Sequence, residues 1–400
     1  VSNLPRQDDV MSLEAGARVL VAMSGGVDSS VAAALLVEQG YEVVGVTMKT
    51  FCYSGTGDHG KTCCGLDGIV DARRVADRLG FPHYVFDVEE QFARDVIDDF
   101  VDEYAVGRTP NPCVNCNSNT KFRDLLLRGE QLGCRAIASG HYVRVEHRPG
   151  GSRLLRGLDP AKDQSYFLWG LPREILPRLL FPVGELTKSQ VRERARGLVL
   201  PTAEKPESQE ICFVPTGNYR DLLKRRLRDR HPALEPGRLV LEDGTDMGGH
   251  EGYAGFTVGQ RKGLGGGFDE PMYVLAIRAQ SREVVIGPYH ALYALGVEVS
   301  GTHWLTPPPK VGSEVMVQIR YRAPAVAARV ARIDAAGVAL RFREPQRAVS
   351  PGQSAVVFAG DEVLGGGRIA AGLQGAPEEE VSSGAGPSGA TPGASPRPHS

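Results

Sequence analysis

The sequence predicts an α/β protein with three parts: an N-terminal doubly wound parallel sheet, a small central domain and a C-terminal β-barrel. Three observations lead to this fold class. Short apolar segments alternate with helix-like segments up to about residue 140, which is typical of a parallel sheet. Short strands and Gly-rich turns begin at about residue 237. Alternating apolar and polar runs over residues 295–369 indicate a small barrel.

The individual elements follow from apolar patterning and from helix-stop residues. Strands are predicted at 19–22, 42–48, 83–86 and 136–139. Helices are predicted at 31–37, 66–79, 91–106, 123–132, 188–196 and 219–230, with Thr187 as an N-cap. The parts are an irregular N-terminus (1–17), a catalytic domain (18–214), a central domain (215–292), the barrel (293–371) and a tail (372–400). The tail is poor in apolar residues, so we expect it to be disordered.

Composition restricts the class of protein. The chain has 400 residues, 42% of them hydrophobic and 24% charged, which is ordinary for a globular protein. A net charge of −2 means that any nucleic-acid binding must come from local patches. No apolar run is long enough to span a membrane and the N-terminus lacks an apolar signal core, so we expect a cytosolic protein. The seven cysteines then indicate catalysis or metal binding.

The chain is organised around the strand–turn–helix segment at residues 18–30. An apolar strand leads into Ser24-Gly25-Gly26, and Asp28 opens a helix. A Gly-rich turn at a helix N-terminus binds anions through its backbone N–H groups. The segment lacks the Gly-Lys-Ser/Thr ending of a Walker A loop and is not a dinucleotide G-x-G-x-x-G. Met48 and Gly140 follow other strands, so we expect them at the same crevice.

Three cysteines lie in polar surroundings. Cys113 and Cys116 belong to a segment, 111–117, that we expect to be turn-rich, and Cys212 lies in a second turn-like stretch. A nucleophilic thiolate with a resolving thiol, a zinc site and a three-thiolate iron–sulfur cluster are all open. Cys134 is expected to be a buried small hydrophobe.

Two further features each have a purely structural interpretation as well as a functional one. Residues 219–230 form a basic helix that is either a solvated face or a nucleic-acid contact. Cys52, His59, Cys63 and Cys64 lie in a Gly-rich segment, where we expect a flexible loop rather than a metal site.

Taken together, the motifs resemble the tRNA-specific 2-thiouridylase family of the PP-loop ATP pyrophosphatase superfamily, whose fold is similar to that of adenine nucleotide α-hydrolases. The resemblance covers residues 18–371. Its marks are the Ser-Gly-Gly-Val-Asp-Ser string from Ser24 and the segments 111–122, 140–142, 162–168, 207–213, 253–265, 349–353 and 364–367.

The resemblance implies the activity of a tRNA-uridine 2-sulfurtransferase that uses ATP and Mg²⁺. It implies ATP binding by Ala22, Met23, Ser24, Gly25, Gly26, Val27, Asp28, Ser29, Met48 and Gly140, with Asp28 helping to hold Mg²⁺. It implies contact with the target base by Asn111, Pro112 and Cys113. It implies tRNA contacts by His141, Lys162, Asp163, Gln164, Arg320, Tyr321 and Gln353, and a tRNA-binding central domain.

The same resemblance implies the roles of the thiols. Cys212 receives sulfur as a persulfide from a donor protein, either a sulfur-relay protein or a cysteine desulfurase. The persulfide attacks the adenylated wobble uridine directly or releases hydrosulfide, and Cys116 resolves the intermediate as a Cys116–Cys212 disulfide. Many family members carry Asp at the position of Cys113. The alternative is therefore an iron–sulfur cluster on Cys113, Cys116 and Cys212 that delivers sulfide.

Three rival functions remain open at this stage. An amidating PP-loop ligase would use ammonia and need no thiols. A related enzyme could act on another tRNA base. A tRNA-binding scaffold without catalysis would not need the intact loop at Ser24 or the retained Cys116 and Cys212.

Overall fold

A computed structural model describes residues 13–50, 66–148, 150–207, 211–214, 217–227 and 231–375. Four of the predictions lie wholly or partly outside these ranges. They are the first twelve residues of the N-terminus, the Cys52, His59, Cys63 and Cys64 segment, the last three residues of the basic helix and the tail beyond residue 375. Within the described part of the chain, no helix has both the length and the apolar character needed to cross a membrane.

The strands of the described residues have the following bounds. They are β1 (Arg18–Ala22), β2 (Glu42–Lys49), β3 (His83–Asp87), β4 (Ala136–Ser139), β5 (Val143–Arg148), β6 (Gly151–Arg156), β7 (Leu179–Leu180), β8 (Gly237–Val240), β9 (Asp246–His250), β10 (Met272–Arg278), β11 (Glu283–Pro288), β12 (Tyr293–Trp304), β13 (Glu314–Gln318), β14 (Val326–Asp334), β15 (Gly337–Arg347), β16 (Ser354–Ala359) and β17 (Glu362–Leu373).

The α-helices are α1 (Val27–Glu38), α2 (Leu66–Leu79), α3 (Glu89–Phe92), α4 (Asp99–Ala105), α5 (Pro112–Asn115), α6 (Phe122–Gln131), α7 (Lys188–Gly197) and α8 (Tyr219–Leu227). Two π-helical turns cover Ala93–Asp98 and Cys116–Lys121. Short 3₁₀ turns cover Ser165–Phe167, Arg173–Arg178, Pro232–Leu234, Tyr253–Gly255 and Tyr289–Leu292.

The first sheet confirms the doubly wound parallel architecture. Its strand order is β3-β2-β1-β4-β7, and each neighbouring pair is parallel. The central strand β1 is buried on both faces. Val19 and Val21 pack with Val31 of α1, whereas Leu20 packs with Leu125 of α6 on the other face. Parallel strands of this kind are near-continuous apolar runs because helices cover both sides.

The segment around the two close cysteines is helical, so the prediction of a turn-rich stretch is wrong. α5 begins directly after Asn111, whose side-chain Oδ1 accepts a hydrogen bond from the Cys113 N–H at 3.2 Å. Pro112 occupies the first turn, where the missing N–H costs nothing. Asn-Pro here starts a helix rather than a turn. Cys113 therefore lies in α5, and Cys116 begins the π-helical turn that follows it.

The central domain is a four-stranded sheet in the order β10-β11-β8-β9, packed with α8. Its apolar cluster extends into the first domain. Leu222 of α8 and Val274 of β10 share that cluster with Phe92 and Phe100 from the α3–α4 region. This shared core joins the basic helix to the helices that precede the cysteine segment.

The C-terminal barrel confirms the third part of the fold class. Its antiparallel strands follow the order β12-β15-β14-β13-β16-β17, and pairing of β12 with β17 closes it. Strand β17 runs to Leu373, past the predicted boundary at residue 371. The β5–β6 hairpin, which comes from the first part of the chain, joins the barrel sheet where Leu155 pairs with Glu362.

Candidate active site

The loop between β1 and α1 has the shape of an anion site. Gly25 adopts φ +70°, and a Cβ there would lie 2.1 Å from the carbonyl oxygen of Gly68. Only glycine fits this left-handed and crowded position. Gly26 is the N-cap of α1, and no side chain caps this described helix end. The N-terminus of a twelve-residue helix is thus left for a ligand.

Hydroxyl groups hold the turn in place. The Ser24 N–H donates to Ser29 Oγ at 3.2 Å, and Ser29 Oγ donates to the Gly26 carbonyl at 3.2 Å. Ser30 Oγ donates to the same carbonyl at 2.8 Å. These bonds order the loop before any ligand arrives, which is preorganisation in the sense used for binding sites.

Asp28 has two partners from distant parts of the chain. Tyr142 donates its phenolic O–H to Asp28 Oδ1 at 2.7 Å. Lys188 Nζ donates to both carboxylate oxygens, at 2.7 and 2.8 Å, from the first turn of α7. Burial, followed by the charge of Asp28, raises the pKa of Tyr142 well above its ordinary value, so the phenol stays protonated. The sequence analysis did not assign Tyr142 or Lys188 to the site.

A chain of alternating charges continues from Lys188. Its ammonium group lies 3.0 Å from Glu207, which in turn lies 2.7 Å from Lys162. Partial burial raises the pKa of Glu207, but hydrogen bonds from Lys162 and Lys188 outweigh it and lower the pKa to about 2. Glu207 is therefore charged at neutral pH and orients both lysines beside the 24–29 loop.

Gly140 and Met48 lie where the sequence analysis placed them in the sheet. A Cβ on Gly140 would lie 2.6 Å from the Ser29 nitrogen, so the chain after β4 packs directly on the start of α1. Met48 is buried near the end of β2, and the neighbouring Thr47 donates its hydroxyl to the Met23 carbonyl at 2.8 Å. Both residues are thus close to the 24–29 loop, while their contact with ATP stays a prediction.

The barrel holds the segment that leads into α5. The Thr109 N–H donates to the Pro351 carbonyl at 2.8 Å, and Gln353 Nε2 donates to the Thr109 carbonyl at 2.8 Å. A Cβ on Gly352 would lie 2.8 Å from the Thr109 nitrogen. The residues just before Asn111 are therefore fixed from the barrel side, and Gln353 performs this task with its side chain.

Cys116 and Cys212 pack against one apolar cluster although they are far apart in sequence. The cluster contains Phe92, Phe100 and Phe213, and both cysteines are partly buried against it. Cys113 is exposed. In the described residues no disulfide is formed, and no group of three or more Cys, His, Asp or Glu has a metal-binding arrangement. The disulfide and the cluster therefore stay predictions.

Cys134 confirms its predicted structural character. Its side chain is 4% exposed and belongs to the core between β1 and α6. Burial raises the pKa of the Cys134 thiol to about 11, so it is protonated and unreactive at neutral pH.

Comparison with known proteins decides the family. Family models match residues 17–216 (tRNA methyl transferase HUP domain), 221–288 (tRNA methyl transferase PRC-barrel domain) and 296–369 (aminomethyltransferase beta-barrel domain). A tRNA-specific 2-thiouridylase of Geotalea uraniireducens is 48% identical over 357 residues, which are 88% of this chain and 94% of that protein. The chain belongs to the tRNA-specific 2-thiouridylase family.

Two further comparisons have different weight. A family member of Carboxydothermus hydrogenoformans is 50% identical over 358 residues, covering 88% of this chain and 97% of that one. Among solved structures, an NMN synthetase from Francisella tularensis is 17% identical and covers 56% of this chain and 84% of that chain. Its TM-score is 0.32, a likeness too weak to support an inference.

The side chains predicted to touch tRNA in this 2-thiouridylase differ in their availability. Asp163 is 7% exposed and accepts hydrogen bonds from Arg156, from the Gly157 N–H and from Ser165. Gln164 accepts a hydrogen bond from the Tyr142 N–H at 3.0 Å. Asp163 therefore holds the turn between Arg156 and Ser165, and Gln164 holds the backbone at Tyr142.

Three other predicted tRNA residues are partly buried. Tyr321 packs on Phe167 with ring centres 4.3 Å apart, and Arg320 donates to the Ala348 carbonyl. His141 is half-buried and lies 2.7 Å from Ser139 Oγ. Burial, with the charge of Lys121, lowers the pKa of His141 well below its ordinary value, so the ring is neutral. Direct tRNA contact by these residues stays a prediction.

Proposed function

We propose that the chain is a tRNA-uridine 2-sulfurtransferase that converts the wobble uridine of certain tRNAs to 2-thiouridine. One observation carries the proposal: Cys116 and Cys212 pack against the same cluster, and Cys116 follows directly on the helix that Asn111 begins. An anion-binding loop and two thiols that pack on one apolar cluster suit ATP-driven thiolation. Methyl transfer, which the descriptions of the family models name, requires neither.

The first half of the reaction activates the base. A uracil C2 oxygen is a poor leaving group, so it attacks the α-phosphorus of ATP and pyrophosphate departs. The N–H groups at the start of α1 and the ammonium of Lys188 stabilise the negative charge on the departing phosphates. Asp28 is the carboxylate at the loop, and one carboxylate with phosphate oxygens suits Mg²⁺, which supplies further charge neutralisation when bound.

Lys188 changes partner during this step. In the structure its ammonium pairs with Asp28 and Glu207, and it is only 12% exposed. Incoming phosphates compete with Asp28 for Lys188, and release of the carboxylate leaves Asp28 available to the cation. Tyr142, held by Gln164, keeps Asp28 oriented through the exchange.

The second half transfers sulfur. The terminal sulfur of a persulfide on Cys212 attacks C2, and AMP leaves with the former C2 oxygen. The Cys116 thiolate then attacks Cys212 Sγ, which forms a Cys116–Cys212 disulfide and releases the sulfur on the base as 2-thiouridine. An external thiol reductant reduces the disulfide, and a cytosolic sulfur-donor protein reloads Cys212.

The iron–sulfur alternative has less support from the structure. It requires Cys113, Cys116 and Cys212 as three ligands of one cluster, and the described residues hold no such arrangement. Cys113 is exposed, whereas the other two are partly buried.

Thiolation of a tRNA transcript by enzyme carrying Cys212 persulfide, measured with pyrophosphate release, tests the proposal. We expect Cys212→Ser to abolish thiolation while tRNA-stimulated pyrophosphate release persists, because adenylation precedes sulfur transfer. Cys134→Ser is the matched control and keeps activity. Undiminished thiolation by Cys212→Ser would refute the role of the Cys212 persulfide, and a wild-type enzyme that releases pyrophosphate with tRNA and ammonia but does not thiolate would favour an amidating ligase. Iron at cluster stoichiometry in anaerobically purified enzyme, lost with activity in Cys113→Ala, would establish the cluster route.

A further inference from the structure

Three tyrosines and one arginine form a patch at the junction of the central domain and the barrel. We call Tyr273, Tyr289, Tyr293 and Arg347 the tyrosine patch. Tyr289 is 44% exposed and Tyr293 is 38% exposed, which places two large aromatic rings at the surface. Tyr273 belongs to β10 of the central domain, whereas Tyr293 and Arg347 are paired residues of β12 and β15 in the barrel.

Tyr289 is the centre of the patch. Its ring lies 5.5 Å from that of Tyr273 and 5.9 Å from that of Tyr293, both in edge-to-face geometry. Arg347 lies 5.3 Å from the centre of the Tyr289 ring and donates to its hydroxyl at 3.1 Å. These contacts fix the rings, so a ligand that stacks on them loses little conformational entropy in the protein.

The positive charges beside the patch are not compensated within the described residues. Arg347 contacts Tyr289, and Arg320 donates to the Ala348 carbonyl and to Ser350 Oγ, the latter at 3.3 Å. Neither arginine forms an ion pair with a carboxylate of the described residues. Arg332 and Arg343, elsewhere on the barrel, do pair with carboxylates. Two nearby arginines without acidic partners suit a polyanion.

A cleft lies between Arg320 and the segment before Asn111. It has a volume of about 400 Å³ and is lined by Arg320, Gln353 and Thr109, among others. Arg320 reaches the patch side through the carbonyl of Ala348, the residue after Arg347. Thr109 leads to Asn111 at the start of α5. The lining of the cleft thus includes a residue that is hydrogen-bonded next to the patch arginine and a residue two positions before Asn111.

We propose that the tyrosine patch binds unpaired bases of the RNA substrate by stacking, with Arg347 and Arg320 contacting the neighbouring phosphates. The inference rests on the proposed function, because it assigns the patch to the same RNA. Aromatic rings beside arginines are the usual platform for single-stranded RNA, whose splayed bases stack on them. A protein partner would also use exposed tyrosines, but it would not require two arginines without acidic partners.

Equilibrium binding of an anticodon stem-loop RNA, measured by filter retention over a range of salt concentrations, tests the inference. We expect Tyr289→Ala to weaken binding by at least about 5-fold, the lower end for losing one stacked base. Tyr289→Phe keeps the ring and retains affinity within about 2-fold. Arg347→Ala reduces the slope of log K against log salt by about one.

Tyr84→Ala supplies the matched control, since Tyr84 is a tyrosine of similar exposure (46%) on the edge strand β3. Unchanged RNA affinity in Tyr289→Ala would overturn the inference, and a slower sulfur transfer from the donor protein would then assign the patch to that protein. The filter assay measures RNA affinity alone and does not depend on catalysis. A wild-type enzyme that binds RNA through the patch but does not thiolate it refutes the proposed function alone.

Discussion

Arg368 ties the barrel to the helix that precedes the thiol, and its removal is the sharpest test of that connection. One guanidinium nitrogen of Arg368, in β17, lies 2.8 Å from both carboxylate oxygens of Asp99, and the other lies 3.0 Å from Glu103. Asn115 Nδ2 donates to Asp99 Oδ2 at 2.6 Å. Asn115 is the last residue of α5 and directly precedes Cys116.

The burial of these groups sets the expected cost of Arg368→Ala. Arg368 is 33% exposed and Asp99 29%, whereas Glu103 is only 6% exposed. Exposed ion pairs contribute about 0.2–1 kcal/mol, and breaking a buried pair costs about 3–5 kcal/mol. Arg108 continues to compensate Glu103 at 2.8 Å. We therefore expect a loss of about 2 kcal/mol, between these two limits.

The assay is native-state hydrogen exchange of residues 112–121 together with thiolation kinetics. A local loss of about 2 kcal/mol speeds exchange about 30-fold if these amides open with the network. We expect kcat for thiolation to fall while the KM for ATP changes little, because the 24–29 loop does not contact Arg368. Arg368→Lys should recover part of the kcat and part of the protection from exchange, since lysine keeps the positive charge.

Arg332→Ala is the control. Arg332 also bridges two carboxylates of the barrel, but it is 44% exposed and its partners Glu298 and Asp334 are similarly exposed. We expect it to change stability little, because solvent screens exposed ion pairs, and to leave exchange in α5 unchanged. Equally small effects of Arg368→Ala and Arg332→Ala on exchange and on kcat would refute this reasoning. The contacts of Asp99 with Arg368 and Asn115 would then not position the segment that carries Cys116.

Three further outcomes follow from the site. Gly25→Ala should lose ATP binding, measured by calorimetry, because the left-handed backbone alone costs about 1–2 kcal/mol and the new Cβ meets a carbonyl oxygen at 2.1 Å. The stability difference between wild type and Glu207→Gln should be constant above pH 4.5 and disappear as the pH falls to about 2, because the folded pKa is depressed; acid unfolding curves that stay parallel would contradict this. Iodoacetamide at pH 8 should label Cys113 and spare Cys134 in a peptide map of the folded protein.

Local patterns were sufficient to predict the first sheet and its loop. The apolar run at β1 and the glycines after it are short-range signals, and the structure confirms the strand, the turn and the helix that begins at Val27. The helix at α5 was missed although its signal was present. Asn111 followed by Pro112 is typical of a turn, but the same pair is also an N-cap with Pro in the first turn.

Long-range contacts explain what the sequence did not predict. Lys188 reaches Asp28 from a helix that is separated from it by most of the first domain, so no local pattern joins them. The hydrogen bond of the Gln353 side chain to the Thr109 carbonyl joins positions that no local pattern connects, and contact of Gln353 with tRNA stays a prediction. The packing of Cys116 and Cys212 on one cluster depends on the meeting of α3–α4 with the central domain, which only the tertiary fold determines.

The contacts of Gln353 and Arg368 also bear on the order in which the parts of the site form during synthesis. Ribosomes synthesise the chain from its N-terminus, and domains fold in that order. The sheet and the 24–29 loop can form early, but the residues before Asn111 receive their supports from Pro351, Gln353 and Arg368 near the end of the chain. A nascent chain therefore forms the 24–29 loop before the contacts that support the segment carrying Cys116, so the two halves of the site are completed in that order.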